Sequence, residues 1–380
     1  MSPALRTALD VSAVPARPAG AGQYTIALAG GLAGHAEVDL TLVARRGDES
    51  RWRDLAPGAV VRGAVPSSRP ARLVFEQIGL ASVLRSSGAS VHHGPHYTMP
   101  ARAPVPCVVT IHDCTFFDHP EWHERSKAVF FRRAIRHAAR HAAAVVCVSE
   151  VTAERLRAVC DVRAPVVVAP HGVDHDRFTA EEHIAGDDAR HLAAAGVPRD
   201  RPLVVFVGTL EPRKGVVPLV QAFDRVADAQ RDAVLVLGGQ PGWGMAEMER
   251  ALAAARHTDR IVRTGYLPDA AVPALLRSAA VAVYPAFEEG FGLPALEALA
   301  CGAPLVTTEG TAMAELAGGA ALLAPPGDPG ALADVLATAL AEGRATPRRA
   351  EGIRVAAGRT WGESVRLHLQ AYAEAAARPQ

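Results

Sequence analysis

Two glutamates bracket a glycine-rich turn in the segment Glu289–Glu297, whose sequence is Glu-Gly-Phe-Gly-Leu-Pro-Ala-Leu-Glu. Pro294 suits the first turn of a helix, where its missing N–H costs nothing, and good helix formers follow it through Ala300. The backbone N–H groups just before this helix would point outward at its positive end, which attracts anions. These groups belong to Phe291, Gly292 and Leu293.

The carboxylates of Glu289 and Glu297 would extend this anion site to a larger ligand. Helical side chains tilt toward the helix N-terminus, so Glu297 leans back toward the loop that carries Glu289. A phosphate on the amides and hydroxyls on the two carboxylates would together describe a nucleotide sugar. The alternative, an exposed loop acid beside an acid that stabilises a helix N-terminus, leaves the intervening glycines unexplained.

A pair of adjacent cations, Arg213 and Lys214, follows the predicted strand Leu203–Val207 in the turn Gly208–Gly215. At a strand-to-helix turn such a pair can hold a diphosphate, with arginine as a fork and lysine as a point charge. Taken alone, the pair is more typical of a solvated turn. Glu289 lies 75 residues after Lys214 in the same predicted sheet, so cations and helix amides would converge on one pyrophosphate.

A second pair of glycines, Gly20 and Gly22, lies between a predicted first strand, Arg6–Val11, and an apolar helix, Tyr24–Leu32. The absence of side chains here would let the backbone approach a bound ligand. The segment lacks the third glycine of a dinucleotide-binding fingerprint, and a plain loop is the alternative.

His112 and Asp113 directly follow the predicted strand Val105–Ile111. A histidine at the carboxyl end of a parallel strand faces the ligand cleft, where it can hydrogen-bond a sugar hydroxyl or shape the reacting centre. We favour this interpretation because of the position of His112. The alternative is a turn cap by Asp113 beside a satisfied core histidine.

The other histidines do not predict a metal site. His92 and His93 are neighbours on a strand, so their side chains would point to opposite faces and could not easily share an ion with His96. His137 and His141 lie one helical turn apart, but without the glutamate that a zinc hydrolase helix carries. We therefore expect no metal.

The predicted helix Arg125–His141 is strongly basic. It contains no acid, and Phe131, Ile135 and Ala138 mark an apolar side. Such a helix could rest on an anionic membrane surface or meet an acidic acceptor. A solvated basic face on a helix packed against its own sheet is the more ordinary alternative. The cations are Arg125, Lys127, Arg132, Arg133, Arg136 and Arg140.

Short apolar runs rich in β-branched residues recur along the chain, with helical stretches between them. This alternation, with near-continuous apolar strands, predicts an α/β protein with parallel sheets covered on both faces. At 380 residues the chain exceeds what one hydrophobic core usually holds, so two such domains are expected. The other predicted strands are Val38–Val43, Ala144–Val148, Val166–Ala169, Ala233–Leu237, Ala280–Tyr284 and Pro304–Thr307.

A polar stretch that begins at Gly172 predicts the domain boundary. The first domain would comprise residues 1–172, completed by a terminal helix within residues 361–380, and the second residues 173–360. Ligands of such sheets bind outside the carboxyl ends of the strands, so the cleft between the domains is the expected site. The terminal helix would place Trp361, Val365, Leu369 and Tyr372 on one apolar stripe.

Composition and charge narrow the function further. Residues 1–170 hold 20 Arg and Lys against 14 Asp and Glu, whereas residues 171–380 hold 20 against 26. The two halves would therefore meet different partners, but the asymmetry is too mild for nucleic acid. No apolar run of membrane-spanning length and no leader segment is evident, and five scattered cysteines are typical of a reducing cytoplasm.

With these residues assembled, the chain resembles the retaining glycosyltransferases of family 4, which share the GT-B fold of two Rossmann-like domains facing a central cleft. The most specific element is the pair Glu289 and Glu297 with seven residues between them. Three further segments are similar to the mannosyltransferase-like branch of this family. They are Val109–Asp113, Pro170–Asp174 and Thr209–Lys214.

The resemblance implies a role for each matched position. Glu297 would hold the ribose hydroxyls, and Glu289 would contact the donor sugar. Arg213 and Lys214 would neutralise the leaving diphosphate, and His112 would lie near the anomeric carbon. The remaining donor contacts would come from the backbone of Gly22, Phe291, Gly292 and Leu293, from the space at Gly238 and Gly239, and from Tyr266 and Leu267 beside the base.

Two positions depart from the family pattern: Thr209, where many members carry arginine, and His171, where asparagine is frequent. The resemblance implies transfer of a sugar, with GDP-mannose as the leading donor, to a hydroxyl of a glycan, lipid-linked or small-molecule acceptor. Neither a cofactor nor a metal is expected. The alternatives are a nucleotide-sugar epimerase or sugar phosphorylase of the same fold, and a non-catalytic nucleotide-sugar-binding module.

Overall fold

A computed structural model describes residues 4–378 of the chain. Met1–Pro3, the start of the segment in which no leader was expected, lie outside the described residues. Pro379 and Gln380, the last two residues of the predicted terminal segment, also lie outside them. The chain divides into two compact units. The first runs to Gly172 and resumes at Trp361, and the second is Val173–Thr360.

Seven parallel strands form the sheet of the first unit. They are β1 (Leu5–Asp10), β2 (Val38–Arg45), β3 (Val60–Val65), β4 (Val91–Gly94), β5 (Cys107–Ile111), β6 (Ala144–Cys147) and β7 (Val166–Val168). Their order across the sheet is β3-β2-β1-β4-β5-β6-β7. Every residue of β5 and β6 is buried, as expected of central strands in a parallel sheet covered on both faces.

Six parallel strands form the sheet of the second unit. They are β8 (Leu203–Val207), β9 (Val234–Gly238), β10 (Ile261–Gly265), β11 (Val281–Tyr284), β12 (Leu305–Thr308) and β13 (Ala321–Ala324). Their order is β10-β9-β8-β11-β12-β13. Both sheets therefore have the doubly wound pattern that was predicted, in which each parallel pair requires a crossover connection.

Helices connect the strands in both units. Those of the first unit are α1 (Gly20–Ala33), α2 (Glu49–Leu55), α3 (Arg69–Ile78), α4 (Leu80–Ser87), α5 (Thr115–Asp118), α6 (Arg125–His141), α7 (Glu150–Val159) and the terminal helix (Trp361–Ala376). Those of the second unit are α8 (Asp187–Ala194), α9 (Val216–Ala229), α10 (Met245–Ala254), α11 (Ala271–Ser278), α12 (Leu293–Ala300), α13 (Ala312–Ala317), α14 (Pro329–Glu342) and α15 (Pro347–Ala357). Several begin at capping side chains that accept a backbone N–H, such as Ser149, Thr311 and Asp328.

Three strands, β3, β10 and β13, escape prediction from the sequence. They are edge strands and carry exposed or half-buried positions, so their sequences are less uniformly apolar. The strand on which His92 and His93 were expected is β4, and it is fully buried. The prediction that the first helix begins at Tyr24 is also wrong, because α1 begins at Gly20.

Strand order reverses once in each sheet, between β1 and β4 in the first unit and between β8 and β11 in the second. In open α/β sheets, ligands bind outside the carboxyl ends of the strands at such a switch point. The turn after β8 carries Arg213 and Lys214, and the turn after β11 carries Glu289. The topology therefore brings these two distant segments to one edge of the second sheet.

The terminal helix packs on α1 within the first unit. Its residues Val365 and Tyr372 are buried in the same apolar cluster as Tyr24 and Leu28 of α1. The predicted stripe residues Trp361 and Leu369 pack against this cluster and are partly buried.

A chain of hydrogen bonds inside this apolar cluster joins the terminal helix to the sheet. Tyr372 Oη lies 2.7 Å from His93 Nδ1, and His93 Nε2 lies 2.8 Å from Thr110 Oγ1. Tyr24 Oη lies 2.8 Å from Thr110 Oγ1 and 2.8 Å from His368 Nε2. We call these five side chains the histidine circuit.

The donor of each hydrogen bond in the histidine circuit can be assigned by starting from His368, at one end of the circuit. His368 Nδ1 lies 2.7 Å from the Ser364 carbonyl, which only accepts, so Nδ1 carries the proton and Nε2 is an acceptor. The donors then follow in order: Tyr24 to His368, Thr110 to Tyr24, His93 to Thr110 and Tyr372 to His93. This arrangement requires both histidines to be neutral. Burial lowers the pKa of both, that of His368 to about 4.

The basic helix α6 begins and ends at the predicted residues. Ile135 and Ala138 are buried, and Arg132 Nε donates to the Phe116 carbonyl at 2.6 Å. Across residues 4–378, no helix is long and apolar enough to cross a membrane. All five cysteines are free thiols, and only Cys160 is not fully buried.

Candidate active site

The turn after β11 leads into the N-terminus of α12, as the sequence predicted. Gly292 precedes the helix in the left-handed region, with φ +93°, and Pro294 lies in its first turn. A side chain at Gly292 is excluded, since a Cβ there would lie 2.2 Å from Met313 Cγ. Among the described residues, no protein group accepts a hydrogen bond from the N–H groups of Gly292 and Leu293. The geometry of a helix N-terminus that can receive an anion is therefore present.

Glu289, in the same turn, is paired with both cations of the turn after β8. Its Oε2 accepts a hydrogen bond from Lys214 Nζ and lies 3.4 Å from Arg213 Nη1. Arg213 Nε also lies 2.6 Å from Glu211 Oε1. Burial raises the pKa of the Glu289 carboxyl, but Lys214 and Arg213 outweigh this effect and hold the pKa below its ordinary value. We call these four residues the carboxylate–cation cluster.

The two turns that carry this cluster are held together by backbone contacts. The N–H of Phe287 donates to the Arg213 carbonyl at 2.9 Å. Gly215 adopts φ +69°, and a Cβ there would lie only 1.9 Å from the Pro285 carbonyl oxygen. Only glycine permits this approach, so Gly215 fixes the distance between the cations and Glu289.

Glu297 lies on α12 and has a different environment from Glu289. The Glu297 side chain is half-buried, and burial raises the pKa of its carboxyl to about 7, against a smaller opposing effect of Arg177. Arg177 is engaged elsewhere, because its Nη2 donates to the Asp269 carbonyl at 2.8 Å. Within the described part of the chain, no side chain or backbone group donates a hydrogen bond to the Glu297 carboxyl. A ligand that supplies hydroxyl donors would satisfy it.

The residues expected beside the base lie at the carboxyl ends of β9 and β10. Gly239 adopts φ +138°, and a Cβ there would lie 2.0 Å from the Gly208 carbonyl oxygen. A Cβ at Gly238 would lie 2.8 Å from Leu267 Cδ1. Leu267 is buried, whereas Tyr266 is 56% exposed. The glycines are thus explained by packing within the second unit. That they leave room for the nucleotide, and that Tyr266 and Leu267 border the base, stays a prediction.

In the first unit, His112 directly follows β5 and is buried. Its Nε2 lies 2.8 Å from the Pro95 carbonyl, so Nε2 carries the proton and Nδ1 is left as an acceptor. Burial lowers its pKa below the ordinary value, against smaller effects of Pro95 and Asp113. His112 is therefore a neutral hydrogen-bond acceptor. Asp113 makes the turn cap that was the alternative, since its Oδ1 accepts from the Thr115 N–H at 3.1 Å.

The two glycines at the start of α1 differ in their surroundings. A Cβ at Gly22 would lie 2.8 Å from Pro18 Cβ, whereas one at Gly20 would meet nothing within 4 Å. Packing of the preceding loop thus accounts for glycine at position 22 without a ligand. Contact of Gly22 with a donor stays a prediction.

No group of three or more potential metal ligands occurs between residues 4 and 378. His92 and His93 point to opposite faces of β4: His92 Nδ1 lies 3.1 Å from the Ala8 carbonyl, and His93 belongs to the histidine circuit. The expectation that the reaction needs no metal is not tested by this finding.

Three residues of the second unit belong to the site but escaped prediction. Glu211 holds Arg213, Arg177 influences Glu297, and the Tyr284 side chain is electrostatically coupled to Glu297. Glu211 could have been found as the acid two residues before Arg213. The others have no signal in the sequence, because they reach the site only through the folded sheet.

A turn with paired cations, a glutamate and a helix N-terminus at the switch point of a doubly wound sheet has the geometry that suits a phosphorylated ligand. Two family models match the chain. Residues 18–177 match Glycosyltransferase Family 4, and residues 201–342 match Glycosyl transferases group 1. The chain belongs to the family 4 glycosyltransferases, a family of transferase enzymes with the GT-B fold.

Two proteins similar in sequence to this chain are named glycosyltransferases, in agreement with this family. The chain is 29% identical over 252 residues to the O-antigen chain mannosyltransferase B of Escherichia coli, an alignment that covers 65% of this chain and 64% of that protein. It is 35% identical over 231 residues to the 2-deoxystreptamine glucosyltransferase of Streptomyces kanamyceticus, covering 60% of this chain and 57% of that protein. The matched regions thus span less than two thirds of these relatives.

Solved structures resemble the fold over almost the whole chain. A sucrose-phosphate synthase of Thermosynechococcus elongatus superposes with a TM-score of 0.78 at 19% identity, over 97% of this chain and 98% of that one. The Anabaena protein HepE in complex with UDP-glucose gives a TM-score of 0.76 at 19% identity, with the same coverage. At this identity the likeness concerns the GT-B fold alone.

Proposed function

We propose that this protein transfers a sugar from a nucleoside diphosphate sugar to an acceptor hydroxyl. The carboxylate–cation cluster beside the N-terminus of α12 is the observation that carries the proposal. It combines two cations and two outward N–H groups for a diphosphate with glutamates that can accept hydrogen bonds from sugar and ribose hydroxyls.

The cluster would work by stabilising the leaving group. When a donor binds, its diphosphate takes the place of Glu289 as the partner of Lys214 and Arg213, and Glu289 accepts hydrogen bonds from the sugar. As the bond between the anomeric carbon and the phosphate oxygen breaks, charge grows on the diphosphate, and these fixed positive groups stabilise it. They supply the charge that a metal would otherwise supply, so we propose a metal-independent reaction.

The stereochemistry that we propose is retention. The acceptor oxygen bonds to the anomeric carbon on the face that the diphosphate leaves, and a phosphate oxygen takes the acceptor proton. The family resemblance supports this course. His112 would accept a hydrogen bond from a donor-sugar hydroxyl through Nδ1, since its Nε2 is committed to Pro95.

The proposed donor is GDP-mannose, and the proposed product belongs to a polysaccharide or other glycoconjugate. Support comes from the resemblance to the mannosyltransferase-like branch and from the E. coli relative, which is named a mannosyltransferase. Another similar protein is named a glucosyltransferase, and one of the similar structures contains UDP-glucose. The identity of the donor sugar therefore requires a direct test.

A donor screen tests the proposal and separates it from its alternatives. The protein is incubated with GDP-mannose, UDP-glucose or UDP-N-acetylglucosamine, with and without a panel of glycan, lipid-linked and polyol acceptors, and nucleotide release and sugar products are measured. A transferase releases nucleoside diphosphate in step with a new glycoside. Conversion of donor alone into an epimer indicates an epimerase, and binding without any turnover indicates a non-catalytic module.

The proposed location is the cytoplasm, with α6 in contact with an anionic membrane. The exposed arginines Arg125, Arg133 and Arg136 and the exposed Val129 support this contact. Co-sedimentation with vesicles that contain anionic lipid tests it, with neutral vesicles as the control. Equal sedimentation with both would refute an electrostatic membrane contact.

A further inference from the structure

Tyr284 carries a buried hydroxyl that has no hydrogen-bond partner. It is the last residue of β11, directly at the switch point of the second sheet, and only 4% of the residue is exposed. The ring packs near Phe206, with 5.9 Å between the ring centroids, and the backbone carbonyl accepts from Thr307 Oγ1 at 2.9 Å. The hydroxyl itself makes no bond. A buried donor without a partner costs free energy, so its presence requires an explanation.

The acidic group that acts most strongly on the Tyr284 hydroxyl is Glu297. Glu297 lies on α12 and Cys301 is the C-cap of that helix, and the potential negative charge of each acts on the Tyr284 hydroxyl. Burial is the main cause that raises the pKa of Tyr284, so this hydroxyl remains a donor throughout the physiological range. Because α12 packs on β11, a buried donor without a partner thus lies near a half-buried carboxyl that accepts no hydrogen bond from the described protein groups.

The free protein does not need this bond. Burial raises the pKa of Glu297 to about 7, so the neutral acid and the carboxylate are both populated near pH 7, and the half-buried side chain is tolerated without a protein donor. A ribose diol would change this balance, because both of its hydroxyls donate and therefore favour the carboxylate anion. A half-buried anion gains more from each additional donor than a neutral acid does.

We propose that Tyr284 is a positioning residue for Glu297: in the donor-bound state its hydroxyl donates to the Glu297 carboxylate and holds it toward the ribose. This inference rests on the proposed function. It gives a role to the buried hydroxyl at the end of β11, which has no partner in the free protein.

The substitution Tyr284→Phe tests this role, with affinities for GDP and UDP measured by calorimetry. The unfolding midpoint of the variant should be no lower than that of the wild type, because the lost hydroxyl makes no bond in the free protein. The dissociation constant of the bound nucleotide should rise roughly ten-fold, the effect of losing a hydrogen bond to a charged group. The pH at which affinity is half-maximal should also move upward.

Two further variants make the test specific. In a Glu297→Gln background, Tyr284→Phe should have little additional effect on affinity, since the two residues act on one contact. Tyr372→Phe is the matched control: its hydroxyl is 2.7 Å from His93 in the first unit, so the variant should lose stability but keep nucleotide affinity.

Each remaining outcome is decisive. Wild-type affinity in Tyr284→Phe, or a lowered unfolding midpoint with affinity unchanged, would overturn the positioning role and leave the proposed function intact. A wild-type protein that binds neither nucleotide would overturn the proposed function, and this inference with it.

Discussion

Lys214 and Glu289 form an ion pair across 75 residues of sequence, between the turns that follow β8 and β11. Each residue alone would be an ordinary turn charge. Together they place a cation against an acid at the switch point of a parallel sheet, where a ligand is expected. In the free protein the charges of Lys214 and Glu289 neutralise each other. A diphosphate can therefore take the place of Glu289 as the partner of Lys214.

Replacing Lys214 by alanine should lower kcat by about 100-fold or more, because a preorganised positive group opposite the leaving diphosphate stabilises the transition state. Stability should change little, since Arg213 remains near Glu289 at 3.4 Å. Steady-state kinetics with the donor found in the screen measure the effect. Lys127→Ala is the control, because Lys127 is also paired with a glutamate, Glu124, but lies on α6. Turnover within three-fold of the wild type in Lys214→Ala would refute the leaving-group role.

Donor affinity should depend on pH through Glu297. Its pKa is raised to about 7, so the carboxylate that accepts hydrogen bonds from ribose is populated mainly above pH 7. Affinity should therefore increase from pH 6 to pH 8. In Glu297→Gln, affinity should be weaker and nearly independent of pH over this range. Titration calorimetry at several pH values measures both curves, and a variant that keeps the wild-type slope would assign the titration to another group.

The same substitution should make the free protein more stable at pH 8. A carboxyl whose pKa is raised on folding binds more protons folded than unfolded, so stability falls as pH rises from about 4.5 to 7. Glutamine has no such dependence. A gain in thermal stability with a loss of affinity would be the pattern of a site residue kept for function.

Sheet topology explains which parts of this site can be predicted from sequence. Apolar runs define most strands, and parallel strands bring their carboxyl ends to one edge, so the convergence of Lys214, Glu289 and the N-terminus of α12 follows from the pattern. The ion pair between Lys214 and Glu289 in the free protein does not follow from the pattern, because the sequence predicts that each residue contacts the ligand and not the other residue. Tyr284 and Arg177 also escape, since burial and side-chain direction arise only in the folded unit.

Gly215 should be essential for the second unit, and Gly310 provides a matched control. Both adopt φ +69°, but a Cβ at Gly215 would lie 1.9 Å from the Pro285 carbonyl oxygen, whereas one at Gly310 meets nothing within 4 Å. Gly310→Ala should cost about 1 kcal/mol for the left-handed conformation alone. Gly215→Ala should cost roughly 3 kcal/mol or more, because the two turns must also separate. Denaturant unfolding measures both, and equal costs would contradict the clash.

The first unit should lose stability steeply as pH falls below 6.5. Five buried histidines and the half-buried His96 are held neutral mainly by burial; the five are His92, His93, His112, His171 and His368. Their pKa values are lowered on folding, to about 3 for His96 and about 4 for His368. The unfolded chain therefore binds more protons, and stability that is complete above pH 6.5 is lost as pH falls toward the folded values.

Each such histidine contributes a slope of up to about 1.4 kcal/mol per pH unit. The opposing acids are few: Asp10 acts on His92 and Asp113 on His112, whereas the groups that act on His93 are His368, His92, His112 and His96. Denaturant unfolding of the whole chain between pH 5 and 8, followed by hydrogen exchange of the terminal helix, measures the loss. His368→Gln should reduce the slope of unfolding free energy against pH by the contribution of one bound proton. The control, His141→Gln at an exposed position, should leave that slope unchanged. An unchanged slope in His368→Gln would show that His368 does not remain neutral in the histidine circuit.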